Sequence, residues 1–436
     1  MENNAYNDLN SSRRKFIKTT GAAAVGGSFA LNFINPQSAW AGINAETLKV
    51  GLVGCGGRGT GAANQALKAD DNVVITAMAD IFPDRLQQSM ESLKKGHGKK
   101  VQVDEDHQFI GFDAYKKLIA SDVDVVLLAT PPTFRPDQLT AVVDAGKHVF
   151  CEKPMAVDGP GVRKVMEAAQ KAKAQKTSLM SGFCWRYHFP KRETFARILD
   201  GGVGDIHTIY NTYNTGTLWS KEPQPGWTQM ENQMRNWLYY NWISGDHIAE
   251  QAVHSLDMMA WALGDEKPVS CVGTGGRQVR TDAKFGNVYD HFAIVYEFEG
   301  GKKGYHFSRQ QFNCANSYAV EVNGSKGKAI IDCTRNRHEI QADERWRYRG
   351  DGNDMYQTEH NELFAAIRKG EPVNDGEYMA QSTMLAIMGR MAAYTGQTIT
   401  WDEAINSQEK LGPEEYSFEV KYPVTEVAMP GITEFS

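Results

Sequence analysis

Short apolar runs separated by amphipathic stretches mark the chain from residue 46 to about residue 178. Residues 48–53 (LKVGLV), 73–79 (VVITAMA), 123–129 (VDVVLLA) and 148–151 (HVFC) show almost no polar alternation, as expected of strands covered on both faces in a parallel sheet. Between them, 60–69, 83–95, 113–120 and 135–145 carry helical spacing, and 158–175 predicts one more covering helix. This rhythm predicts a doubly wound α/β domain over 46–178. Beyond residue 180 the period changes to two. The stretches starting IHTIYNTYNTG, SCVGTGGRQVR, HFAIVYEFEGG and YAVEVNGSKGKAIID predict long alternating strands, with hairpin turns at 299–302 and 323–327. A second, α+β domain with a large open, mainly antiparallel sheet is expected over 179–400, with helix over 356–394 and a C-terminal extension over 401–436.

The first 41 residues follow a different pattern. Arg13, Arg14, Lys15 and Lys18 precede a Gly/Ala-rich apolar run, and Ala39-Trp40-Ala41 fits a small-x-small cleavage site. The paired arginines in Ser12-Arg-Arg-Lys-Phe-Ile-Lys18 predict a twin-arginine signal, hence passage through that translocase and a periplasmic, soluble mature protein starting near Gly42. Removing four positive and two negative charges with that segment takes the net charge from −6 to −8, which argues against a nucleic-acid partner. No later run is long and apolar enough to cross a membrane. The six cysteines are scattered with no CxxC spacing, so neither a zinc site nor a disulfide scaffold is implied.

Chemistry enters at Gly54-Cys55-Gly56-Gly57-Arg58-Gly59, a G-x-G-x-x-G turn between a predicted strand and a predicted helix. Glycine permits the tight turn, the close approach of a pyrophosphate and the closure of helix on strand, while the helix start offers free N–H groups. Asp80, about 20 residues on, is placed to bind the adenosine ribose hydroxyls. Its carboxylate repels a 2′-phosphate, which favours NAD, with NADP possible through Arg58 and Arg85. Thr130 and Pro131, after the third predicted strand, and Glu152 and Lys153, after the fourth, complete the expected cofactor-binding set.

At a strand's carboxyl end Lys153 points toward the dinucleotide crevice, where an ammonium favours a substrate alkoxide. In SGDHIAEQAVHSLDMMAWALG (244–264), read as one helix, Glu250, His254 and Asp257 fall at i, i+4 and i+7 on one face. His254 is the expected general base, with Glu250 or Asp257 orienting it. His247, Glu250 and His254 also have a metal-ligand spacing, but hydride chemistry needs no metal and none is expected. Trp185, Arg186 and Tyr187, together with Asp257, are the substrate-side candidates, and Trp237, Tyr240, Asn241 and Trp242 are further candidates for the pocket wall.

The glycine turn, Glu152-Lys153-Pro154 within AGKHVFCEKP, and the acid-xxx-His-xx-Asp stretch resemble the Gfo/Idh/MocA oxidoreductases, from about residue 48 to past 400. The resemblance implies a Rossmann domain followed by an open-faced α/β domain, hydride transfer on sugars or polyols, and sheet-mediated homo-oligomers (dimer or tetramer). It gives Lys153 the catalytic lysine position and His254 the acid/base position. Glu250 stands where the family usually has Asp, and Arg135 where many members have His. Two exported branches bear on the signal: glucose–fructose oxidoreductases, whose cofactor stays bound and is reset by a second sugar, and glycoside hydrolase family 109, which cleaves glycosides by oxidation, elimination and reduction. Lys153-Pro154 is kept and the Tyr-Pro-Thr-His stretch of that hydrolase family is absent. The expected activity is therefore a periplasmic NAD-dependent oxidoreductase of a carbohydrate with a tightly bound cofactor. A redox-neutral glycosidase is the alternative, and a non-catalytic cofactor-bound sensor a further one.

Overall fold

In the computed structural model, which describes residues 46–434, the apolar runs form buried strands because helices cover both faces. The order is β1 Leu48–Val53, α1 Gly57–Ala69, β2 Val73–Asp80, α2 Pro83–His97, β3 Gln108–Ile110, α3 Ala114–Ala120, β4 Val125–Leu128, α4 Arg135–Asp144, β5 His148–Cys151, α5 Gly159–Gln175 and β6 Leu179–Ser181. They build a parallel sheet in the order β3-β2-β1-β4-β5-β6. Strand order reverses between β1 and β4, and a crevice opens at their carboxyl ends. The sheet runs past residue 178, where the change of period put the domain boundary. The added strand β6 has three residues, too few to show a period of its own.

The second region follows with α6 Phe189–Leu199, β7 Ile206–Thr215, α7 Gln229–Arg235, α8 Asn241–Ser244, α9 His247–Glu250 and α10 Val253–Ala262. Then come β8 Ser270–Gly276, β9 His291–Glu297, β10 Lys303–Gln310, β11 Ser317–Gly324, β12 Gly327–Asp332, β13 Arg337–Ala342 and β14 Trp346–Arg347. The chain ends its regular structure with α11 Met355–Lys369, α12 Gly376–Thr395, β15 Ile399–Thr400 and α13 Trp401–Asn406. Nine strands form one sheet, β14-β13-β12-β11-β7-β10-β9-β8-β15, antiparallel except for the β7–β10 pair. Its alternation is plain in β9, where Phe292, Ile294 and Tyr296 are buried and their neighbours are not. The buried face packs on α10 and α12, which are buried nearly all round.

The expected helix over 356–394 is two helices. α12 lies in the core, while α11 returns to pack on α1, where Gln357 Nε2 donates to the Gln65 carbonyl at 3.0 Å. The 401–436 segment is likewise continuous with the fold, since β15 pairs with β8 and α13 packs on α5. The proposed signal segment, residues 1–41, lies outside the described residues.

On α11, His360 is fully buried 4.4 Å from the Phe150 ring, and neither ring nitrogen has a hydrogen-bond partner. Burial pushes its pKa down to about 3. The unfolded chain protonates this residue near its ordinary pKa of about 6.5, so between that pH and about 3 the unfolded state holds the extra proton and stability falls as pH falls. His360→Phe is therefore expected to unfold with a shallower loss of stability over that window, read as the pH dependence of the urea midpoint.

Candidate active site

The glycine turn is required by space. Gly54 follows β1 with φ +93°, and a Cβ there would lie 2.7 Å from the Ala129 carbonyl carbon and from the Thr130 nitrogen. A Cβ on Gly59, in the first turn of α1, would lie 1.8 Å from the Gly54 oxygen. At Gly56 it would meet only the Arg85 guanidinium at 3.4 Å, so that edge of the turn is open to a ligand. The N-terminus of α1 has no side-chain cap and no acidic residue in its first turn, which leaves its N–H groups for an anion. Asp80 ends β2 with Oδ2 accepting from Cys55 N at 2.6 Å and Oδ1 from Phe82 N at 2.8 Å, so the carboxylate is locked at the crevice edge. These features fit a dinucleotide: a phosphate cradle at the turn and an oriented carboxylate for the ribose.

A cavity of about 470 Å³ runs from this turn to the second region. Gly54, Gly56, Gly57, Arg58, Asp80, Thr130, Pro131, Glu152 and Lys153 line it, with Glu250 and His254 opposite. Gly59 does not reach it and acts from beneath Gly54. Glu152 is buried, with Oε1 3.0 Å from Arg58 Nε, and so holds the arginine of the turn.

Lys153 stands just beyond β5, and its Nζ donates to the Glu250 carbonyl at 2.5 Å, with Glu250 Oε1 3.8 Å away. Burial pushes the Glu250 carboxyl up, and the Lys153 charge pulls it part of the way back. His254 sits between aromatic rings, stacked on Trp185 at 5.0 Å and edge-on to Phe183 at 6.0 Å. Its Nδ1 is sealed in without a partner, which leaves Nε2 as the nitrogen open to the cavity. Burial, reinforced by Lys153 and Lys191, holds its pKa well below the ordinary value, so the ring is neutral and can accept a proton.

Several expectations need correction. The 244–264 stretch is not one helix. It breaks at Gln251 (φ −114°, ψ −52°) between α9 and α10, and among the described residues no hydrogen bond joins Glu250 to His254. Glu250 pairs with Lys153, and the stacked rings orient the imidazole. His247 faces away from the cavity, its Nδ1 3.3 Å from the Tyr289 carbonyl and its Nε2 3.3 Å from Ser308 Oγ. Among the described residues no cluster of three or more His, Cys, Asp or Glu could hold a metal ion.

The four substrate-side candidates do not line the cavity. Arg186 Nε donates to both Asp257 oxygens at 3.0 Å, its terminal nitrogens pair with Asp265, and its guanidinium lies 3.9 Å over the Tyr378 ring. Asp257 also accepts from Ser382 Oγ at 2.8 Å, and Tyr187 donates to Asp375 at 2.6 Å. Trp185 supports His254 from behind. Strong partners hidden elsewhere in the chain satisfy these groups internally. Arg186→Met strands the buried Asp257 and is expected to cost about 3–5 kcal/mol in denaturant unfolding while leaving the substrate KM unchanged.

Sequence reasoning missed Tyr213, Gln251, Trp219, Met234 and Tyr356 as cavity residues and noted Arg135 only as a departure from the family. Of the four wall aromatics and amides suggested, Trp237 lines the cavity, and Tyr240, Asn241 and Trp242 do not. Arg135 is buried at the start of α4 and donates to the Pro154 carbonyl, bracing the lysine loop. The C-terminal segment folds over the aromatic wall. Phe418 stacks on Phe82 at 5.6 Å, and Tyr416 packs against Phe112 and Phe134, all three of which line the cavity.

Two adjacent family models match this chain. GFO_IDH_MocA, the oxidoreductase family with an NAD-binding Rossmann fold, covers residues 48–183, and the GFO/IDH/MocA C-terminal domain covers 193–330. The inositol 2-dehydrogenase of Rhizobium meliloti (strain 1021) is 26% identical over 350 residues, 76% of this chain and 93% of its own length. Among solved structures, the aldose-aldose oxidoreductase of Caulobacter crescentus complexed with glycerol superposes with TM-score 0.65 at 20% identity, over 81% of this chain and 100% of that one. A levoglucosan dehydrogenase complexed with NADH and levoglucosan gives TM-score 0.62 at 20% identity, over 81% and 99%. At that identity the two structures establish likeness of fold.

Proposed function

Because the chain belongs to the Gfo/Idh/MocA family of NAD-binding oxidoreductases, we propose that its cavity oxidises a secondary hydroxyl of a sugar or polyol. The observation that carries this reading is the convergence of Lys153, just beyond β5, and His254, on α10, on the cavity that starts at the glycine turn. The ring polyol named for the 26%-identical relative supports the substrate class. When bound, NAD supplies the acceptor for the hydrogen leaving carbon. Lys153 Nζ, anchored on the Glu250 carbonyl, donates to the substrate oxygen and stabilises the developing alkoxide. His254 Nε2 takes the hydroxyl proton. Its low basicity returns that proton readily, which suits a reversible step. The buried Glu250 carboxyl lies beside the same ammonium, with Oε1 at 3.8 Å.

Export and retention of the cofactor belong to the same proposal. The twin-arginine pattern at Ser12–Lys18 supports a periplasmic enzyme loaded before transport, since that route carries folded passengers. Tyr416 and Phe418, packed over the cavity's aromatic wall, support slow release of NAD. Among the described residues no helix is long and apolar enough to cross a membrane. The open face of the large sheet, with the Tyr210 and Phe307 ring centres 5.4 Å apart and both side chains exposed, supports a homo-oligomer.

Protein purified from the exported fraction is expected to carry NAD, identified by mass. Mixed with myo-inositol and a panel of aldoses, it should develop the near-ultraviolet absorbance of reduced nicotinamide. Release of nitrophenol from aryl glycosides with no net reduction would support the glycosidase instead. Bound nucleotide that no sugar or polyol reduces would support the sensor.

A further inference from the structure

Gln251 occupies the break between α9 and α10, where the expected single helix would have turned it away from Glu250. Instead it lines the cavity beside Lys153 and His254. It is joined to both catalytic groups through the backbone. The carbonyl that receives Lys153 Nζ belongs to the peptide unit Glu250–Gln251, and the His254 backbone N–H donates to the Gln251 carbonyl at 3.3 Å.

The orientation of its side-chain amide follows from a chain of buried donors. Arg280 is 2% exposed and its guanidinium can only donate. It donates to Gln310 Oε1, which is also buried, and this fixes Gln310 Nε2 as a donor. Gln310 Nε2 then donates to Gln251 Oε1 at 2.6 Å. The Gln251 oxygen is thereby committed to the protein, and its Nε2, with no partner among the described residues, is not sealed off from solvent. Arg280 cannot turn over, because its backbone N–H joins those of Gln278 and Val279 on Asp290 Oδ2 and its guanidinium lies 5.4 Å from the Tyr239 ring centre.

We propose that Gln251 contacts substrate and, through this fixed Nε2 donor, recognises a hydroxyl on the carbon next to the one oxidised. Gln310 and Arg280 are positioning residues for it. The inference rests on the reading given under Proposed function. Its consequence is specificity for vicinal diols, since the neighbouring oxygen must accept from Gln251 while the reacting oxygen accepts from Lys153.

The test compares myo-inositol and D-glucose with their deoxy analogues lacking one hydroxyl beside the oxidised carbon, using the NAD-loaded full chain. Wild type should prefer the parent by about tenfold to a hundredfold in kcat/KM. Gln251→Ala should lose that preference, with kcat/KM falling about tenfold to a hundredfold further on the parent than on the analogue. Gln310→Met, which frees the amide to turn, should lose part of it. A Gln251→Ala variant that slows parent and analogue by the same factor has only a structural defect and overturns the inference, as does one that keeps the wild-type preference. If wild type oxidises no polyol, the broader reading fails and takes this one with it. If wild type turns over and only the discrimination result fails, the broader reading stands.

Discussion

Lys153→Ala is expected to lower kcat by about a thousandfold while NAD remains bound and KM changes far less. The side chain is fixed at one end by β5 and at the other by the Glu250 carbonyl at 2.5 Å, so its ammonium meets the substrate oxygen without having to reorganise. Removing it takes away the donor to the developing alkoxide, an interaction that strengthens only as the proton leaves. The fold is expected to survive. Glu250 loses its counter-charge, but burial already pushes that carboxyl toward the neutral form, so it takes up a proton instead of remaining a stranded charge. Circular dichroism and retained NAD separate this outcome from unfolding. A variant with wild-type turnover would remove Lys153 from the chemistry.

Gly59→Ala is the second large effect, and it falls on cofactor binding. The added methyl would sit 1.8 Å from the Gly54 oxygen, a distance at which either α1 or the turn must move. Gly54 cannot easily give way, because its own position is pressed against the Ala129–Thr130 backbone and its N–H donates to the Ala79 carbonyl at 2.8 Å. Displacing the helix N-terminus by about 1 Å from the phosphate site is expected to weaken NAD binding about a hundredfold, read by calorimetric titration of protein freed of nucleotide. Gly57→Ala is the control: a Cβ there meets nothing within 4 Å, and binding should be nearly unchanged.

The parts legible in the sequence were those whose physics is local. The glycine turn, Asp80 and Lys153 are each set by one strand and the few residues after it, and the structure lines one cavity with all three. The two sheets were likewise visible, because a doubly covered strand and a half-covered strand differ in period. Glu250 and His254 were read as neighbours on a continuous helix. They face the same cavity although that helix is broken, and the break is what admits Gln251, which an unbroken helix would have rotated by about 100°. Arg186 and Asp257 were misread for the opposite reason. A charged side chain near a motif suggests a ligand, but each was the other's partner across 71 residues of sequence, and no local pattern reports such a pairing. Tyr356 reaches the cavity, and Tyr416 and Phe418 reach the aromatic residues that wall it, only through the return of the C-terminal third of the chain, which the alternation of apolar and polar positions does not encode.

The central claim is that one cavity lets a polyol carbon pass its hydrogen directly to NAD while Lys153 and His254 manage the hydroxyl proton. The most direct measurement uses the best substrate of the panel, deuterated at the oxidised carbon, with the bound nucleotide recovered and weighed. The account predicts nicotinamide one mass unit heavier in wild type and unlabelled in Lys153→Ala over the same interval. Deuterium recovered in water, with the nucleotide unlabelled, would contradict it.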